Sequence, residues 1–215
     1  TGIGQTSASN AGFLTSLAVV FVPVINAVVR QRAPGARMTA GVAVTLLGIA
    51  LLSLHGSLTL SPGDALCVMG SIFYALFIVA TDRLSAKEDP LLLGVWQLGF
   101  AALFGLVATN LFEAPALPAD PVHWGAVLGL ALVCSAFGFV AQPVAQRATT
   151  AEHAALLFAL EPVSSAVLAF VFLGETLDAR GMLGAVLVIA GVLVASLPAR
   201  RRSAISPSPE TGVRA

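Results

Sequence analysis

Charge is what this sequence lacks most. Only 10% of its 215 residues are Asp, Glu, Lys or Arg, where a water-soluble domain carries about a quarter. That deficit excludes a cytosolic globular enzyme and a disordered scaffold. The few charges also cancel, eleven basic against eleven acidic, so no net field gathers polyanions and nucleic acid is not an expected partner. Cysteine is scarce as well. Cys67 and Cys134 lie in unrelated apolar runs without CxxC or CxxH spacing; they fit neither a disulfide framework nor a metal site and read as small core residues. No GxSxG, HExxH or Walker loop is present, so neither cofactor nor metal is expected. No basic n-region or signal peptide precedes the first apolar run. What the chain has in abundance is apolar: 57% of it is hydrophobic and its mean hydropathy is +0.93. The class is an integral membrane protein.

A helix crossing ~30 Å of hydrocarbon needs about 20 apolar residues. Seven segments qualify, at 10–29, 38–55, 64–81, 91–112, 122–142, 152–173 and 181–198. They are too long and too uniformly apolar for barrel strands, which alternate over about ten residues. The predicted fold is therefore all-α and polytopic. The polar, Pro- and Ser-rich stretch 199–215 is expected to be a disordered tail. Basic residues orient the spans. Arg30, Arg32 and Arg37 occupy the first loop, Arg83 and Lys87 the third, Arg147 the fifth, and Arg200, Arg201, Arg202 and Arg214 the tail, with only Arg180 on the other side. Ten of eleven cations on one side predict that this side, and the C-terminus, are cytoplasmic in a multi-pass plasma (inner) membrane protein.

Sliding the chain by 143 residues aligns 6–54 with 149–197 without a gap, and 14 of 49 positions are identical. Gly41 meets Gly184, Gly48 meets Gly191, and Ala36-Arg37 meets Ala179-Arg180. The loops inside the two copies carry opposite charge: Arg30, Arg32 and Arg37 in one, Glu175, Asp178 and Arg180 in the other. One copy therefore enters the membrane upside down relative to the other, as in secondary transporters whose halves rock around a midplane site. Three helices precede the second copy, so symmetry predicts three more before the first. The expected architecture is seven helices present of ten, in two inverted five-helix repeats. Residues 1–55 would be the last two helices of the first repeat, and 56–198 the complete second repeat.

The residues from Gln146 to Ala195 resemble the last two helices of the drug/metabolite transporter superfamily, EamA type. Leu160-Glu161-Pro162, Leu173-Gly174-Glu175 and the Gly184/Gly191 pair carry the resemblance, and Thr6–Val24 is similar to the fourth helix of that family's first half. The resemblance implies ten helices and the export or exchange of small metabolites. Where the first half should repeat Leu-Gly-Glu, this chain has Arg30-Gln31-Arg32.

Five residues are candidates for binding or coupling: Glu161, Pro162, Gln97, Trp96 and Asn26. Glu161 lies about ten residues into its span, roughly 15 Å deep. An acid there must be neutral, paired or beside a water-filled cavity. Pro162 next to it cannot donate to the carbonyl of Phe158 and should kink or break the helix. A proton-carrying acid beside a freed carbonyl would suit a coupling site; the alternative is a neutral Glu that serves the fold. Asn26, Gln97 and Gln142 could hold a solute amide or carboxylate, or form ordinary interhelical hydrogen bonds. Trp96 beside Gln97 suits an organic solute. Pro23 should break the first span, four residues out of register with Pro162, and the glycine pairs read as close helix packing. Glu152 and His153 are expected in solvent.

The function these features predict is a secondary transporter, an exporter or exchanger of small organic metabolites or drugs. Its partners would be a small-molecule substrate and the lipid bilayer, with a homodimer compatible. A membrane-embedded enzyme would need several titratable groups converging at one depth, and Glu161 stands alone. A non-transporting receptor or assembly subunit has no use for inverted halves.

Overall fold

Proline and short polar side chains mark where the helices begin. Pro62, Pro90 and Pro121 each open one, a position where the missing N–H costs nothing. Asp89, Asp120, Thr150 and Asp178 accept hydrogen bonds from backbone N–H groups of first turns. At Asp120 the backbone N–H of His123, and then its ring, hold the carboxyl below the usual carboxylate range. The computed structural model describes residues 8–53, 62–112, 120–174 and 178–197. Glu175 and the expected tail 199–215 lie outside these.

Among the described residues the structure is helical, and all seven expected spans are present. The first is α1 (Ala8–Ser16) followed by α2 (Ala18–Arg30). α3 (Ala36–Ser53), α4 (Pro62–Ser85) and α5 (Pro90–Phe112) are the next three. The fifth span joins α6 (Pro121–Gly129) to α7 (Gly138–Gln146) through a π-helical stretch, Leu130–Phe137. The sixth is α8 (Ala151–Phe158) followed by α9 (Glu161–Leu173), and the last is α10 (Ala179–Ser196).

Three features differ from expectation. α4 continues four residues past the predicted end at 81, which draws Asp82 into the helix beside Thr81, where both are buried. The π-helical stretch has no counterpart in the apolar pattern. Pro23 does not break the first span; it sits inside α2, and the interruption falls at Leu17. There the hydroxyls of Thr15 and Ser16 bond back to the carbonyls of Ala11 and Gly12, which loosens a helix locally. Leu17 N–H then reaches Leu14 O, and Val20 N–H reaches Leu17 O, in tighter three-residue turns. The sixth span breaks at Ala159 and Leu160, just before Pro162. In the 143-residue register Leu17 falls on Leu160. The prolines are out of step, but the breaks coincide.

α3 and α10 form the tightest pair. A Cβ on Gly41 would lie 2.7 Å from the carbonyl of Gly191, and one on Gly48 2.7 Å from that of Gly184. Pairing 41 with 191 and 48 with 184 makes the helices antiparallel. Exchanging the aligned residues of the two copies maps each contact onto the other, as a twofold axis across the pair requires. Around this pair Val19, Val42 and Ile49 pack with Leu156, Val188 and Val192. A second core joins Ala18 and Val22 of α2 to Ala75, Ile78 and Val79 of α4 and Ala151, Ala154 and Ala155 of α8. α5 leans on α7 where Gly94 faces Phe139 and Val140. Phe104, Leu106 and Leu132 remain exposed on the outer spans, as a face in hydrocarbon demands.

A candidate solute cavity and the polar groups around it

A cavity of about 600 Å³ opens between α4, the π-helical stretch, α7 and α8. Its size suits a small organic molecule. Tyr74, Phe77, Phe139 and Phe158 build one wall. Tyr74 stacks on Phe77 at 6.2 Å, lies 6.2 Å from Phe158, and Phe139 meets Phe77 edge-on at 6.3 Å. The polar lining comes from Gln142, Gln146 and Thr149 at the end bearing Arg147. Gln142 Nε2 donates to Gln146 Oε1, and Gln146 Nε2 to the carbonyl of Ile78, each at 3.3 Å. This chain of amides fixes which atoms face the cavity, and amides can receive either a donor or an acceptor.

The five candidate residues do not share one site. Asn26 is 1% exposed and sits in a polar chain linking three helices. Its Oδ1 accepts from Arg30 Nε at 3.0 Å, and its Nδ2 donates to Glu152 Oε1. Arg30 also donates to Asp82 Oδ2 at 2.9 Å, and the side chain of Asp82 is only 7% exposed. Every donor in this chain is set by its neighbour: the guanidinium orients the amide, and the amide turns its N–H to Glu152. Glu152, expected in solvent, is half-buried here because α8 starts against α2 and α4. The sequence reading missed Asp82 by ending α4 at 81. A helix running on to the capping Asp89 would have placed it inside.

Gln97 and Trp96 point different ways, as neighbours on a helix must. Gln97 Nε2 donates to Thr81 Oγ1 at 2.9 Å, an interhelical bond between α5 and α4, while its Oε1 is buried without a partner among the described residues. Trp96 is 59% exposed and stacks on Phe100 at 5.9 Å. Neither lines the large cavity. Glu161 lies in the first turn of α9, with Pro162 beside it. It borders a smaller cavity on the other side of Tyr74 and Phe158. The signal for the aromatic wall was present in the sequence only as Tyr74/Phe77, a spacing equally that of lipid-facing side chains, while Phe139 and Phe158 come from other spans.

Seven apolar spans packed as helices define a polytopic helical membrane protein. The chain belongs to the EamA-like transporter family, whose profile matches residues 61–197. It is 28% identical over 204 residues to an uncharacterised transporter of Archaeoglobus fulgidus, covering 91% of this chain and 63% of that protein. The chain thus spans less than two thirds of that relative's length. A probable terminal-alkyne amino-acid exporter of Streptantibioticus cattleyicolor is 31% identical over 209 residues, covering 89% of this chain and 67% of its own. The threonine/homoserine exporter RhtA of Escherichia coli is 27% identical over 146 residues, 66% of this chain and 48% of that one. One solved crystal structure superposes with a TM-score of 0.78 at 20% identity, over 91% of this chain and 69% of the other; that likeness concerns the fold.

Proposed function

We propose that this protein is a secondary transporter that exports small organic metabolites, amino acids first among them, and that the cavity between α4, α7 and α8 is where the solute sits. The observation that carries the reading is the cavity itself, within the part of the chain that matches the family. Two named exporters of amino acids among its relatives support the substrate class. The exchange symmetry of the α3/α10 glycine contacts and the coincident breaks support two inverted halves. Ten helices, with three ahead of the first copy, complete that arrangement. The basic end of the bundle faces the cytoplasm of a plasma (inner) membrane protein, and the C-terminus lies on that side.

Glu161 is the coupling group in this reading. It stands at the break in the sixth span, two residues past Ala159, and shares the Tyr74–Phe158 partition with the solute cavity. The test is flux of labelled threonine in proteoliposomes, with and without an imposed proton or Na⁺ gradient. Glu161→Gln keeps size and one acceptor, so gradient-driven accumulation should be lost while threonine exchange persists. Gradient-driven flux undiminished in the variant would remove the coupling role, and no threonine or other amino-acid flux in the parent would remove the substrate class.

A further inference from the structure

The smaller cavity, about 70 Å³, lies where both interrupted spans lose their helical bonding. Thr15, Ser16 and Ala18 reach it from the first span, Ala159 and Glu161 from the sixth, and Tyr74 from α4. The hydroxyl protons of Thr15 and Ser16 are already committed. Thr15 Oγ1 donates to Ala11 O at 2.9 Å and to Gly12 O at 3.1 Å, and Ser16 Oγ donates to Gly12 O at 2.8 Å. These two oxygens therefore have lone pairs left to offer. α1 and α8 both end at this level and α2 and α9 begin there, so the helix dipoles largely offset one another and what the breaks offer is carbonyl oxygens freed from helical bonding. Pro162 has no N–H, which deprives the carbonyl of Phe158 of its helical donor. Glu161 adds a carboxylate, and none of the ten lining residues is a Lys, Arg or His.

Hydroxyl, carbonyl and carboxylate oxygens with a single acid favour a hard cation of one charge, because divalent ions are held by more carboxylates or by more of their own water. The space is small, but Thr15 and Glu161 at its rim are exposed, so an ion there keeps some of its water. We propose that this cavity binds a partly hydrated monovalent metal cation of the size of Na⁺, with Glu161 as its counter-charge. The proposal deepens the transporter reading and rests on it for the ion's purpose. Tyr74 and Phe158 line both cavities, so ion and solute share one wall, the contact through which occupancy of one can bias the other. In the 143-residue register the partner of Glu161 is Ala18, so the two copies build one charged site between them.

The experiment is equilibrium binding of radioactive Na⁺ to the purified full chain in lipid nanodiscs, in choline chloride at constant ionic strength. Saturable binding displaced by unlabelled NaCl is expected. Glu161→Gln should abolish it, and Thr15→Val should weaken it by about tenfold, the loss of one oxygen ligand. Ser16→Ala is the second variant if Thr15→Val does not stay monodisperse. Absence of saturable binding, or binding unchanged in Glu161→Gln, overturns the site. Solute flux without Na⁺ binding would overturn it while leaving the transporter reading intact; Na⁺ binding without flux of any amino acid supports the site and counts against that reading.

Discussion

Asp82, Arg30, Asn26 and Glu152 show how a few polar residues are kept in a chain that otherwise avoids them. Each is held by a neighbour on another turn or another helix, and the sharing is unequal, with one guanidinium serving Asp82 directly and Glu152 through an amide. A buried carboxylate stripped of its cation is costly, but the Arg30 side chain is half exposed, so the penalty is smaller than for a fully buried pair. Arg30→Gln should lower unfolding stability by about 2 kcal/mol. Combined with Asp82→Asn it should cost less than the sum of the two changes. Thermal unfolding of the four proteins in mild detergent measures that coupling, and strictly additive losses would mean that the pair is not linked. Asn26 was legible in the sequence as a polar group to be satisfied. Its partner on another helix was not, because Glu152, 126 positions away in the chain, is brought to it only by helix packing.

At the scale of elements, the α3/α10 pair and the two broken spans have different origins. Gly41, Gly48, Gly184 and Gly191 were readable as a packing face because seven residues return to one side of a helix, and the structure turns both pairs to one interface. Backbone meets backbone there: a Cβ on Gly191 would lie 2.6 Å from Thr45 N and 2.7 Å from Gly41 O. Neither atom can move without moving its helix. Gly191→Leu should force the pair apart and cost about 3 kcal/mol, at the upper end of overpacking losses, whereas Gly125→Ala, open on all sides, should be silent. Melting temperatures of the two variants in the same detergent decide this. The breaks were only half legible. Pro162 announces one by chemistry that acts on its own helix, while the break at Leu17 depends on where two hydroxyls find carbonyls, and a sequence scan reads proline more readily than that.

For the whole molecule, orientation is the property with the widest consequences. The proposed topology puts Arg32 and Arg147 on the cytoplasmic side and Asp120 and Arg180 outside. In a cysteine-free background, single cysteines at 120 and 180 should react with an impermeant thiol reagent added to intact cells, and those at 32 and 147 only after permeabilisation. Labelling of position 32 from outside would invert the arrangement, and with it the direction of export.

What the sequence determined alone is what depends on composition and on local periodicity: membrane residence, seven spans, the caps and prolines that start them, the glycine seam and the family. These follow from the free energy of apolar transfer and from backbone bonding within about four residues, both properties of short stretches of chain. Tertiary structure alone decided which polar groups meet. Gln97 turned to Thr81 and away from Trp96, Glu152 went to Asn26, Asp82 to Arg30, and Thr15, Ser16, Tyr74 and Glu161 gathered around one small cavity. In a membrane interior the chain gains little from choosing one apolar neighbour over another, so such pairings are set by the crossing of whole helices, and no pattern along a single helix records them.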